Sequence, residues 1–133
     1  MAVYHLQIVT PDRKVFDGMA ERLIVRTACG DVCILARHID YAAPLGIGAA
    51  RVTDDQGVTR IAACSGGMLS VSNGEARLIA TTFEWADEID GERAAAAQKA
   101  MEERLQALRR DDEEYALAEA KLKRALTRQQ VKG

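Results

Sequence analysis

The composition of the chain changes at residue 88, and that change limits what the chain can fold into. Residues 1–87 hold 21 Val, Ile and Thr, both prolines and eight of the ten glycines. Residues 88–133 hold only three Val, Ile or Thr and are dominated by Ala, Leu, Glu, Lys and Arg. β-Branched residues favour strands, and Gly and Pro favour the turns between them, whereas the second set favours helix. The expectation is a β domain over 1–87 followed by a helical domain over 88–133. The first is long enough to bury roughly 60–65% of its unfolded surface. The second is too short for a core of its own. A small β module with a helical tail suggests a part of an assembly more than an enzyme.

Alternating or apolar runs mark the strands of the first domain. His5–Thr10 runs into Pro11-Asp12, a turn signal, and Arg22–Thr27 ends near Gly30. Cys33-Ile34-Leu35 is a short apolar segment. Ile47–Thr53 and Val58–Cys64 flank Asp54-Asp55-Gln56-Gly57, and Met68–Ser72 and Glu75–Thr82 flank Asn73-Gly74. Asn-Gly between such runs is a strong hairpin signal. Ser65-Gly66-Gly67 punctuates the chain between two of these runs. Short strands at this spacing argue for a sandwich or a small barrel.

In the tail, Ala94, Ala97, Met101, Leu105 and Leu108 recur at helical spacing, as do Tyr115, Ala118, Leu122 and Ala125. Arg109-Arg110 suits a helix C-terminus and Asp111-Asp112 offers an N-cap for a second helix. The pattern predicts two antiparallel helices. Burying Ala yields much less than the roughly 1.5–3 kcal/mol of a Leu, so such a hairpin is weakly held and able to rearrange. Trp85, at the seam, is expected to pack the tail against the sheet.

A net charge of −2 gives no pull toward nucleic acid or anionic lipid. No run approaches the roughly 20 apolar residues of a membrane span. The N-terminus lacks the pattern of a signal peptide, and Cys29, Cys33 and Cys64 are odd in number, which fits a reducing compartment. A soluble, cytosol-side protein follows. Within the tail, acidic Asp111–Glu114 precedes a basic run containing Lys121, Lys123, Arg124, Arg128 and Lys132.

Three constellations bear on chemistry. Cys29 and Cys33, with Cys64 and His38, make four zinc ligands on paper, but the second pair lacks ligand spacing. Ser65, His38 and Asp40 are the residue types of a hydrolytic triad, without the G-x-S-x-G context. Asp90 and Arg93 lie at i, i+3 at a helix start. One reading is a helix cap with a local ion pair. The other is a site for a small polar ligand, with Arg93 on phosphate and Asp90 on a ring amine or ribose.

Four segments in order carry a resemblance over nearly the whole chain: Leu6–Asp12; Gly30-Asp31 through Ile34-Leu35 and His38; Ser65–Val71; and Ile89-Asp90-Gly91-Glu92-Arg93-Ala94. Together they resemble the epsilon subunits of F-type ATP synthases. The resemblance implies a ten-stranded β-sandwich followed by an antiparallel two-helix hairpin. It implies a non-catalytic rotor subunit of the central stalk that couples proton- or sodium-driven rotation to ATP synthesis. The sandwich would bind the gamma subunit and the c-ring, with Asp31 and His38 on that side. The helices would extend among the alpha and beta subunits and inhibit ATP hydrolysis, with Lys121, Lys123, Arg124 and Arg128 facing beta.

No cofactor is required on this account, and the membrane is reached only through the complex, at the cytoplasmic face. Some members of that family bind regulatory ATP between sandwich and hairpin. The residues here that match such a site are Glu84, Asp90, Arg93, Arg124 and Arg128. An alternative is a stand-alone ATP-binding sensor acting outside the synthase.

Overall fold

The computed structural model describes residues 2–132. Seven strands precede two helices: β1 (Tyr4–Val9), β2 (Lys14–Thr27), β3 (Gly30–Leu35), β4 (Tyr41–Pro44), β5 (Ile47–Asp54), β6 (Thr59–Ser72) and β7 (Glu75–Trp85), then α1 (Gly91–Ala107) and α2 (Glu113–Lys132). A 3-10 turn, Ala86–Glu88, joins β7 to α1.

β1, β7, β6, β5 and β2 hydrogen-bond in that order, and β2 pairs back onto β1, so these five close on themselves. β3 extends from β2 and β4 from β6. All neighbours are antiparallel except β1 and β7, which run parallel. Leu6, Ile8, Leu23, Val25, Ile34, Val52, Leu69, Leu78 and Phe83 fill the interior. They alternate with outward residues along each strand, as the two-residue period requires.

The strands number seven among the described residues rather than the expected ten, and two of the three missing ones are accounted for by β2 and β6, long strands that each change neighbours part-way along. β6 pairs with β5 from Thr59 to Ser65 and with β4 from Met68 to Val71. The exchange falls at Gly66 and Gly67, with φ of 69° and 107°. A Cβ on Gly67 would lie 1.8 Å from the Ile79 carbonyl oxygen, so the bent strand admits only glycine there. Ser65-Gly66-Gly67 is thus a bend inside a strand and not a break between two. β2 similarly gives Lys14–Ala20 to β1 and Arg22–Thr27 to β3, with a bulge facing β5 between Ala20 and Arg22.

The predicted hairpins form. Asn73 and Gly74 both take positive φ, 52° and 77°, and join Ser72 to Glu75 in a two-residue turn. Asp54 Oδ1 accepts from the N–H groups of Gln56 and Val58 and closes the β5–β6 turn.

α2 lies across β5 and β6, and α1 packs on α2. Val131 and Ile89 meet Ala63, with Ala49, Ile61 and Ala86 around them. The other buried tail residues are Ala94, Ala118 and Ala125. This docking is small and alanine-rich, in keeping with a weakly held hairpin. Between the helices, the Asp112 carboxylate accepts from Arg109 N–H at 3.2 Å. Asp112 therefore closes the interhelical turn, where capping of α2 was expected. Trp85 also departs from expectation. It belongs to the sheet interior, edge-on to Phe83 at 5.0 Å, with the Arg60 guanidinium 3.9 Å above its ring.

Candidate functional site

The seam between sandwich and tail encloses a cleft of about 400 Å³. β7 supplies Glu84, the entry to α1 supplies Asp90 and Arg93, and α2 supplies Arg128. Four of the five residues matched to a nucleotide site therefore line one cavity, although up to 44 positions separate them in the chain. Arg124 lines a smaller recess beside it, together with Glu84 and Arg128.

Asp90 performs as the helix cap. Its Oδ1 accepts from Arg93 N–H at 3.1 Å, and its carbonyl from Ala94 N–H at 3.0 Å. The expected ion pair between the Asp90 and Arg93 side chains is absent among the described residues, because the carboxylate is turned onto the backbone. Arg128 Nε–H donates to Glu84 Oε1 at 2.6 Å and so ties α2 to β7. Both side chains are about one-third exposed, at 34%. Lys132 Nζ reaches the Ala86 carbonyl at 3.4 Å and adds a second link at the end of α2.

The sequence offered no sign of the β1–β2 turn as part of this site. Thr10, Asp12 and Arg13 form one wall of the cleft. Arg13 Nη2 donates to Glu88 Oε1 at 2.9 Å, and the same oxygen accepts from Trp85 N–H at 3.1 Å. Arg13 beside it and the Trp85 N–H hold the Glu88 carboxyl below its ordinary range. Seventy-five positions separate Arg13 from Glu88, so no local spacing could have paired them.

The basic run of the tail is split. Lys121 and Lys123 are exposed, whereas Arg124 and Arg128 are half-buried toward the sandwich. While α2 is docked, the run expected to face beta is therefore only partly open to solvent. Asp31 and His38 also part company. Asp31 lies at the start of β3, where Arg26 Nε–H donates to its Oδ1 at 2.6 Å. His38 lies beyond the other end of β3, edge-on to Tyr41, with Nδ1 2.7 Å from the Ile39 carbonyl.

The two catalytic or metal-binding alternatives separate in space. Tyr41, against His38, pairs with Val71, six positions along β6 from Ser65 and on the other side of the bend at Gly66 and Gly67. Asp40 instead accepts from Asn73 N–H. Cys64 is buried, and burial pushes its thiol up to about 12, while Cys29 and Cys33 are exposed. Among the described residues no cluster of three or more His, Cys, Asp or Glu is placed to hold a metal. Among the described residues no helix is long and apolar enough to cross a membrane.

Comparison with known proteins agrees with this layout. Residues 3–86 match the family model described as ATP synthase, Delta/Epsilon chain, beta-sandwich domain. Residues 87–133 match ATP synthase, Delta/Epsilon chain, long alpha-helix domain. The ATP synthase epsilon chain of Bacillus velezensis is 44% identical over 133 residues, covering 100% of this chain and 99% of that one. The epsilon chain of Halalkalibacterium halodurans is 37% identical, again over 100% and 99%. Among solved structures, the fold is similar to a chain of the Euglena gracilis mitochondrial ATP synthase, OSCP/F1/c-ring assembly. The TM-score is 0.80 at 23% identity, over 92% of this chain and 77% of that one. A chain of the Tetrahymena thermophila central stalk and c-ring gives 0.61 at 14% identity, over 97% and 96%.

Proposed function

Since the chain belongs to the ATP synthase delta/epsilon family, we propose that it serves as the epsilon subunit of a rotary ATP synthase and that its tail is a nucleotide-sensitive brake. It is a non-catalytic central-stalk subunit. The end-to-end match to proteins named ATP synthase epsilon chain favours this role over a sensor acting outside the synthase.

The finer assignments follow from how the molecule divides. The sandwich, residues 1–87, is the docked part and binds the gamma subunit and the c-ring. Asp31 and His38 lie on two separate patches of it. The tail, residues 88–133, extends among alpha and beta when it leaves the sandwich. Undocking frees Arg124 and Arg128, which share a face of α2 with Lys121 at i, i+3 and i+7, for contact with beta, with Lys123 on the flank. The assembly sits at the cytoplasmic face of the membrane, which this chain meets only through its partners.

One observation carries the regulatory part: Glu84, Asp90, Arg93 and Arg128 converge on a cleft made of both domains. Its volume lies in the range of small-ligand sites, roughly 300–1,000 Å³. Guanidinium groups from α1 and α2 suit the phosphates of ATP, and the carboxylates suit its ribose and ring amine. A ligand that touches sandwich and both helices binds the docked form only, and so shifts the tail toward docking.

Calorimetry of the full chain with ATP tests this. Saturable binding is expected, weakened roughly tenfold or more in Arg93→Ala, the loss of a charge-assisted contact. No binding by the unmodified chain would remove ATP from the account and leave the rotor role standing.

A further inference from the structure

The β1–β2 turn walls the cleft on the sandwich side, and the nucleotide reading above gives it no role. The turn is well fixed. Thr10 N–H donates to the Arg13 carbonyl at 2.9 Å, and Thr10 Oγ1 accepts from Arg13 N–H at 3.3 Å. Arg13 is thereby held at the cleft with 47% of its side chain still exposed.

The balance of charge in the cleft gives this position weight. Arg13, Arg93 and Arg128 face Asp12, Glu84, Glu88 and Asp90. Carboxylates outnumber guanidiniums, and of the three arginines only Arg93 has no acid partner among the described residues, so a polyphosphate gains further cations as the other two turn from their acids to it. Arg128 rests on Glu84, and Arg13 rests on Glu88. Glu88 keeps the Trp85 N–H as a partner if Arg13 leaves it. The planar guanidinium offers several donors, so Arg13 can exchange one oxyanion for another without moving its backbone. The three cations also come from three elements. Arg93 belongs to α1 and Arg128 to α2, and Arg13 brings a cation from the sandwich wall. A phosphate held by all three would span the joint between domains.

We propose that Arg13 binds the phosphates of the nucleotide, and that Glu88 is the carboxylate it exchanges for them. This rests on the nucleotide reading of the same cleft.

The test is ATP titration of the full chain at several salt concentrations, for the unmodified protein, Arg13→Ala, Arg13→Lys and Glu88→Gln. Arg13→Ala is expected to weaken ATP binding roughly tenfold. It should also make the fall of affinity with salt shallower, since one ionic contact is gone. Arg13→Lys should recover part of both. Glu88→Gln should tighten binding, and by less once Arg13 is also replaced by Ala.

Equal affinity in the unmodified chain and Arg13→Ala overturns the assignment of Arg13 and leaves the nucleotide reading intact. Weaker binding with an unchanged salt dependence also overturns it, because Arg13 would then act only on structure. Absence of ATP binding in the unmodified chain overturns the nucleotide reading and this inference with it.

Discussion

His5 joins three strands through one imidazole. Its Nε2 lies 2.5 Å from Asp17 Oδ1 on β2, and its Nδ1 lies 3.5 Å from Glu75 Oε1 on β7. Lys14 Nζ completes the group, 3.1 Å from Asp17 Oδ2. Two ring nitrogens facing two carboxylates favour the doubly protonated ring. The hydrogen bond to Asp17 is the main cause that raises the His5 pKa, and His5 and Lys14 in turn lower that of Asp17. A raised histidine contributes stability that is full below its unfolded value of about 6.5 and is lost as pH climbs through the raised one. A lowered aspartate contributes above about 3.9 and loses its share as pH falls. The cluster is therefore strongest between those limits. An NMR titration of the imidazole should give a midpoint above about 6.5, dropping in Asp17→Asn. A midpoint at the free-histidine value in the unmodified chain would refute the pairing. None of this was visible in the sequence, because Asp17 and Glu75 reach His5 through strand pairing.

The elements were more legible than their contacts. Asn73-Gly74 and Asp54–Gly57 announced their turns, because those turns need residues that tolerate positive φ. The helical periods of the tail located both helices. Three features were hidden. β6 runs through Gly66 and Gly67 because glycine permits a bend as readily as a break. The first half of β2 and all of β4 have little alternation of their own and are held by β1 and β6. In the site, Asp90 and Arg93 were readable as a helix start, whereas Arg13 and Glu88 were not, since only the closed sheet brings the β1–β2 turn to the seam. α2 is the element whose hold can be tested alone. Val131 is its buried anchor, at 8% exposure beside Ile89 and Ala63. Val131→Asp would put an unpaired charge there, which a small apolar contact cannot accommodate. Hydrogen exchange should show the tail amides losing protection while the strand amides keep theirs. Equal protection of the tail in both proteins would show that the hairpin is held by something other than this contact.

At the scale of the molecule, a sandwich with a large core and a tail with a small docking contact share a short joint. The sandwich is a closed circuit of strands around a large apolar interior. The tail rests on a few alanines, Val131, Ile89, the Arg128–Glu84 pair and the Lys132 contact to Ala86. Exposed or half-exposed ion pairs contribute roughly 0–1 kcal/mol each, so under the proposed function a ligand of ordinary strength is enough to tip the tail between docked and free. The 3-10 turn Ala86–Glu88 and the Asp90 cap sit where the two parts meet, and the cleft opens at the same place. A brake that is released by ATP needs this arrangement: a fixed base, a weakly docked arm, and a ligand site that exists only when they are together. The most direct measurement is ATP hydrolysis by the assembled synthase carrying either the full chain or a chain truncated after Asp90, across a range of ATP concentrations. The truncated form should hydrolyse ATP faster at low ATP, and the two rates should converge as ATP rises and holds the tail down. Equal rates at every concentration would contradict a braking tail.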